Sequence, residues 1–164
     1  MFNETIILLL QLQVKEAFMS ASRPKKSGCA IVSAGESHDS AITALAEDAG
    51  MGTLSNRGES FVAIDDEGDV AGFVRIVESG GEHYVCPIVV AQESQGHGVG
   101  VALMTYAHER FGTLRFVARG AAVPFYESLG CRQTSWSDIA FDISSDCVDC
   151  PDRAGCAPQP MVWE

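Results

Sequence analysis

The stretch between residues 95 and 100 is the part of the sequence best suited to chemistry. It reads Gln95-Gly96-His97-Gly98-Val99-Gly100 and stands between a predicted strand and a predicted helix. The first turn of a helix has free backbone N–H groups and the positive end of the helix dipole, so it can bind anions. Glycine lets a phosphate approach the backbone because no Cβ stands in the way. The pattern predicts a phosphate-binding turn, with a tight structural corner as the alternative.

The spacing of this turn excludes two familiar phosphate-binding motifs. A P-loop ends in Gly-Lys-Ser or Gly-Lys-Thr, which this stretch lacks. A dinucleotide-binding fingerprint needs a third glycine at position 101, which is Val101 here. It also needs a parallel βαβ unit, whereas the preceding strands are predicted to form an antiparallel meander.

A second group of chemically capable residues is the cysteine cluster near the C-terminus. Cys147, Cys150 and Cys156 lie within ten residues, and the first pair has the spacing of metal ligands. Cys131 is our candidate for a fourth zinc ligand, with Cys86 and the four histidines as other candidates. The alternatives to zinc are free thiols or a redox pair at Cys147 and Cys150.

Hydrophobic periodicity predicts the elements that must position these residues. Helices are expected to end at Gly50, Gly112 and Gly130. Strands are expected over residues 29–33, 60–64, 70–77, 82–90, 113–118, 133–137 and 139–143. The order is strand, helix, three strands, helix, strand, helix and two strands, which predicts an α+β domain around a mostly antiparallel sheet.

The 164 residues, 46% of them hydrophobic, suit one globular domain. We divide the chain into an N-terminal extension or linker (1–26), the main domain (27–143) and a cysteine-rich C-terminal tail (144–164). The run Ile6 to Leu10 is too short to span a membrane. It does not resemble a signal peptide either, since no positive charge precedes it. We therefore expect a cytoplasmic protein without a membrane partner.

The net charge of −11 limits the partners of this chain. All three lysines precede residue 27, so the main domain is strongly acidic. Such a surface repels phosphate backbones, and we expect no nucleic-acid partner. It favours a cationic acceptor such as a protonated amine. A generally acidic proteome would give the same composition.

Two runs together resemble the landmarks of the GNAT superfamily of acetyl-CoA-dependent N-acyltransferases. The first is the glycine-rich turn, which matches the family signature of Gln or Arg, two residues, Gly, one residue, then Gly or Ala. The second is Phe125-Tyr126-Glu127-Ser128-Leu129-Gly130-Cys131, similar to a Tyr-Glu-x-Leu-Gly run that usually ends in Phe. The resemblance covers roughly residues 29 to 143. The cysteine tail also resembles that of a subset of the family.

The resemblance implies a fold and an activity. The fold would be three-layered, with a mixed, mostly antiparallel sheet of six to seven strands flanked by helices. The activity would be transfer of an acetyl group from acetyl-CoA to an amine of a small molecule or protein. The coenzyme would contact the pantetheine-pairing strand and the glycine-rich turn: Ile88, Val89, Val90, Gln95, Gly96, His97, Gly98, Val99 and Gly100.

The resemblance also suggests catalytic residues. Tyr126 would protonate the leaving thiolate, since a phenol pKa near ~10 roughly matches that demand; a core aromatic is the alternative. Many relatives carry Glu at the position of Tyr84, so Glu82, on the same strand face, is our candidate base. Pro87 within this strand predicts a bulge or a lost ladder bond.

Two other functions stay open from the sequence. One is a regulatory module that senses acyl-CoA without turnover. The other is a metal-binding interaction protein that acts through its cysteine tail. A homodimer is also compatible with the sequence.

Overall fold

The computed structural model describes residues 28–164, so the predicted extension 1–26 lies outside the described residues. The strands are β1 Ala30–Ser33, β2 Glu59–Ile64, β3 Val70–Ser79, β4 Glu82–Val90, β5 Leu114–Ala118, β6 Arg132–Gln133 and β7 Gln159–Trp163. The α-helices are α1 Asp39–Asp48, α2 Val99–Phe111, α3 Val123–Ser128, α4 Phe141–Val148 and α5 Arg153–Cys156. No helix in this described part is long and apolar enough to cross a bilayer.

The strands form one seven-stranded sheet in the order β1-β2-β3-β4-β5-β7-β6. Every pairing is antiparallel except that of β4 with β5, which is parallel. Helix α2 provides the crossover that a parallel pair requires. The predicted α+β fold with a mixed, mostly antiparallel sheet between helical layers is confirmed.

Alternation along the strands gives the sheet two apolar faces. On one face, Leu103 and Met104 of α2 and Tyr126 of α3 pack against Val74 and Phe116. We call this the α2–α3 face. On the other face, Ile42 and Ala46 of α1 pack against three residues of the central strands: Val62, Phe73 and Val89.

Helix α4 covers the same side of the sheet as α1. The backbone N–H of Ala140 donates to the hydroxyl of Tyr84 at 3.2 Å. The hydroxyl of Ser79 donates to Asp142 at 2.9 Å, and Arg57 pairs with the same carboxylate at 2.7 Å. These contacts fix α4 on what we call the α1–α4 face.

Two of the predicted strands are wrong. We predicted a strand over residues 133–137, but the observed strand there, β6, spans only Arg132–Gln133. Trp136–Asp138 forms a 3-10 turn. Residues 139–143 enter helix α4 instead of closing the sheet. The alternation of Ile139, Phe141 and Ile143 imitates a strand, but Phe141 is 78% exposed at the start of the helix.

The strand that completes the sheet comes from the segment predicted as a tail. Strand β7 lies between β5 and β6, and its Met161 and Val162 are buried. The sheet therefore extends past the boundary that we predicted at residue 143. Residues 134–158, with α4 and α5, form a long connection between β6 and β7.

Candidate active site

A gap opens between the two parallel strands in the middle of the sheet. Strands β4 and β5 are paired only at His83 with Leu114 and at Tyr84 with Arg115. Beyond Tyr84, β4 continues to Val90 while paired only with β3. The backbone groups of β4 that face β5 over residues 86–90 therefore have no strand partner.

A bulge marks the point where the strands separate. Val74 pairs with Ile88 and Ile76 with Val85, so Cys86 and Pro87 together oppose one residue of β3. The peptide bond between Cys86 and Pro87 is cis. Proline removes a donor from the ladder, and the bulge predicted from Pro87 is confirmed.

A cavity of about 600 Å³ opens into this gap from the α2–α3 face. Its lining combines the glycine-rich turn, the separated part of β4 and helix α3: Ile88, Val90, Ser94, Gln95, Gly96, Gly98, Gly100, Val101, Ala122, Phe125 and Tyr126. Seven of our predicted site residues thus meet in one place.

Three predicted coenzyme contacts have side chains directed elsewhere. Val89 packs beneath α1 because strand alternation places it on the opposite face from Ile88. Val99 is buried in the core, and His97 lines a neighbouring cavity beside Cys29. Contact of these residues with the coenzyme through their backbone stays a prediction.

The glycine-rich turn leaves the start of α2 open. Gly96 and Gly98 have φ values of 76° and 86°, a region that other residues enter at a cost. Gly98 caps the helix without a side-chain hydrogen bond, and no acidic residue lies in the first turn. A Cβ at Gly100 would lie 3.2 Å from Cζ of Phe125, so this glycine allows α3 to pack closely. The free amides and the dipole at this end of the helix favour an anion.

Tyr126 lines the cavity and is almost fully buried. Its side chain is 8% exposed, and its ring centroid lies 4.6 Å from that of Phe116. Burial, with a smaller effect from the Cys131 thiol, raises the pKa of Tyr126 to about 12. The hydroxyl therefore stays protonated at neutral pH and is a proton donor.

The predicted base, Glu82, lies at the closed end of the gap. The Arg115 guanidinium donates from Nε to its carboxylate at 3.0 Å. Ile88, which lines the cavity, comes six residues later along β4, or roughly 20 Å at about 3.3 Å per residue. A partnered carboxylate at that distance is poorly placed to accept a proton from a substrate in the gap.

The four predicted zinc ligands do not come together. Cys131 is buried beside Tyr126. Burial raises the pKa of the Cys147 thiol, with smaller effects from Cys156 and Cys150 and none from Cys131. Among residues 28–164, the one group of three potential ligands within 4.8 Å of each other is acidic: Asp65, Glu67 and Asp69. The zinc prediction therefore has no geometric support in this part of the chain.

Comparison with known protein families identifies the central part of the chain. Residues 56–132 match the model of an acetyltransferase (GNAT) domain. The match includes β4, the glycine-rich turn and Tyr126, and it ends before α4. No curated protein matches the chain at a significant level.

The fold is similar to those of several solved acetyltransferases. An IAA acetyltransferase from Bacillus cereus is 20% identical, with a TM-score of 0.60 over 84% of this chain and 99% of the other. The ribosomal-protein-S18-alanine N-acetyltransferase of Escherichia coli is also 20% identical, with a TM-score of 0.54 over 65% and 79%.

A third structure with this fold contains the coenzyme. N-acetylglutamate synthase from Neisseria gonorrhoeae, in complex with coenzyme A and N-acetyl-glutamate, is 16% identical, with a TM-score of 0.65. The similarity covers 84% of this chain and 35% of the synthase. At these identities, the likenesses establish the fold.

Proposed function

From the match of residues 56–132 to a GNAT acetyltransferase domain, we propose that this chain transfers an acetyl group from acetyl-CoA to an amine. The observation that carries the proposal is the cavity at the gap between β4 and β5. It combines an open helix start, unpaired strand backbone and a protonated phenol.

We expect the pyrophosphate, the pantetheine arm and the thioester of acetyl-CoA to lie one after another along the cavity. The pyrophosphate would bind the amides of the turn from Gln95 to Gly100, where the helix dipole favours negative charge. The pantetheine arm would hydrogen-bond the backbone of residues 86–89, which β5 leaves without a strand partner; the carbonyl of Val90 already accepts from Gln95 Nε2 at 3.1 Å. In this arrangement the thioester would lie near Tyr126, which lines the same cavity.

The reaction then needs two contributions from the protein. A backbone N–H of β4 near Ile88 would polarise the thioester carbonyl as the amine nitrogen attacks its carbon. When the C–S bond breaks, the hydroxyl of Tyr126 would donate its proton to the leaving sulfur. The tyrosine would regain a proton from solvent. The proton lost by the amine would pass to solvent, so the number of protons balances.

Replacement of Tyr126 by Phe tests this assignment, because it removes the hydroxyl and keeps the ring. We expect acetyl-CoA binding by calorimetry to be retained, while kcat falls on the order of 100-fold, the usual contribution of a general acid. Turnover is measured as release of free coenzyme A thiol with an amine acceptor.

Tyr106→Phe is the matched control. Tyr106 lies on α2 with its ring 5.2 Å from Phe61, away from the residues that line the cavity. The Tyr106→Phe variant should keep the wild-type kcat. If Tyr126→Phe and Tyr106→Phe had the same kcat, Tyr126 would have only a structural role. Tight acetyl-CoA binding without turnover on any amine would favour the sensing module.

Other parts of the sequence analysis remain predictions. These are the homodimer, the cytoplasmic location and the absence of a nucleic-acid partner.

A further inference from the structure

The connection between β6 and β7 contains three half-buried cysteines that the proposed transfer reaction does not use. Cys147 lies in the last turn of α4, Cys150 follows that helix, and Cys156 ends α5. All three are free thiols, and none of them lines the coenzyme cavity. Thiols that lie close together outside a reaction site can form and break a disulfide by exchange with other thiols.

The backbone between Cys147 and Cys150 forms a tight turn. Val148 is the last helical residue of α4, and Asp149 has φ −106° and ψ 14°. These conformations are close to those at the two central positions of a type I turn, in which the first and fourth Cα atoms lie less than about 7 Å apart. A disulfide requires a Cα–Cα separation of roughly 4.4–6.8 Å. The turn therefore brings Cys147 and Cys150 into the range that a disulfide can bridge.

Arg153 holds this turn from the α5 side. Its guanidinium donates to the carbonyl of Cys147, and its backbone N–H donates to the carbonyl of Cys150 at 3.1 Å. The same guanidinium stacks over the ring of Trp136 at 4.9 Å. One residue thus binds the carbonyls of both cysteines, so the two backbones are fixed relative to each other.

Cys156 is the alternative partner for Cys147. Burial raises the pKa of the Cys147 thiol, and Cys156 and Cys150 add smaller effects, so all three thiols share one neighbourhood. The backbone of Cys156, however, is packed against Gly120: a Cβ built there would lie 3.4 Å from the Cys156 carbonyl oxygen. Cys156 is therefore anchored to the segment that precedes α3, whereas Cys147 and Cys150 belong to the same turn.

We propose that Cys147 and Cys150 form a reversible thiol–disulfide site, with a small-molecule disulfide such as oxidised glutathione as the oxidant. One cysteine thiolate attacks a sulfur of the oxidant, its S–S bond breaks, and one glutathione thiolate leaves. The other cysteine thiolate attacks the mixed disulfide, which forms the Cys147–Cys150 bond and releases the second glutathione thiolate. The two released thiolates take up the two protons that the cysteines lost. The cysteine pair is oxidised by two electrons, and the glutathione disulfide is reduced by two.

Tryptic mapping of the wild-type protein tests this proposal without any substitution. The protein is equilibrated with mixtures of reduced and oxidised glutathione, its remaining thiols are alkylated with iodoacetamide in urea, and it is then digested. Cys147 and Cys150 fall within one fragment, 133–153, because trypsin cleaves after Arg132 and Arg153. Each of the other cysteines lies on a separate fragment: Cys29, Cys86, Cys131 and Cys156.

The proposed bond therefore has a mass signature of its own. It gives a single fragment 133–153 that carries no alkyl group and lacks two hydrogens, whereas any other disulfide joins two fragments. We expect this lighter fragment to become the main form as the ratio of oxidised to reduced glutathione rises. It should disappear after treatment with dithiothreitol.

Cys156→Ser is the matched control and should give the lighter fragment at the same glutathione ratios as the wild type. Cys150→Ser should give none of it. A wild-type fragment 133–153 that stays fully alkylated at every ratio would overturn the proposal. So would a disulfide that joins fragment 133–153 to fragment 154–164 in place of the internal bond, since that result would make Cys156 the partner.

Discussion

Tyr126 shows how burial sets the chemistry of a single residue. Its ring packs between Phe116 and Phe125, and the buried Cys131 thiol lies nearby. Removal from water disfavours the ionised forms of both acidic groups. The pKa of Tyr126 is about 12 and that of Cys131 about 11. Both groups therefore hold their protons through the range in which the enzyme would work.

The same shifts predict that the fold loses stability in alkali. In the unfolded chain these groups ionise at their ordinary pKa values, 9.0 for the thiol and 10.0 for the phenol. Above pH 9 the folded state thus retains protons that the unfolded state has released, so the free energy of unfolding falls as pH rises. Urea unfolding under reducing conditions at pH 8 and pH 10.5 should show this loss.

Replacement of Cys131 by Ala should reduce that pH dependence, because one of the shifted groups is gone. Cys150→Ala, which removes a thiol outside the core, should leave it unchanged. The same loss of stability between the two pH values in all three proteins would mean that Cys131 does not contribute.

Among the elements, the turn that opens α2 shows how a local sequence specifies the shape on which the proposed coenzyme site depends. Gly98 has a φ of 86° and no heavy atom within 4 Å of an added Cβ. An alanine there strains the backbone, by about 1 kcal/mol. It also puts a methyl group beside the amides that would receive the pyrophosphate.

Gly98→Ala should therefore weaken acetyl-CoA binding at least tenfold in a calorimetric titration. Gly81→Ala is a close control, since Gly81 has a φ of 84°, equally open surroundings and a position in the distant β3–β4 turn. The two variants should melt at similar temperatures. If both bound acetyl-CoA equally well, the turn would be only a structural corner.

On the scale of the whole molecule, the C-terminal strand holds the sheet together. Strand β7 is paired along five residues with β5 and also carries β6. Met161 and Val162 are buried, and loss of a buried Met side chain alone typically costs 2–5 kcal/mol. The connection between β6 and β7, with α4 and α5, is anchored by this strand.

Deletion of residues 159–164 should unfold the protein, as seen by loss of the cooperative thermal transition. Deletion of Glu164 alone removes only its exposed ion pair with Arg132 and should change the unfolding free energy by about 1 kcal/mol or less. A cooperative transition in the longer deletion would show that the domain is complete near residue 143, as the sequence had suggested.

The sequence by itself predicted the features that depend on neighbouring residues. The meander of β2, β3 and β4 follows from alternation and tight turns. The glycine-rich turn follows from glycines at fixed spacing before a periodic helix. The bulge follows from Pro87. Each of these is decided within about ten residues, where periodicity and backbone chemistry are sufficient.

Only the tertiary structure decided how the rest of the chain completes the sheet and the site. Residues 139–143 alternate like a strand but become helix α4, because Tyr84 and Ser79 on distant strands bind its start. Glu82 shares a face with Tyr84, as predicted, but Arg115 from the parallel neighbour partners it. A local sequence pattern does not show which distant residues will come into contact, because those contacts are decided by how the whole chain packs.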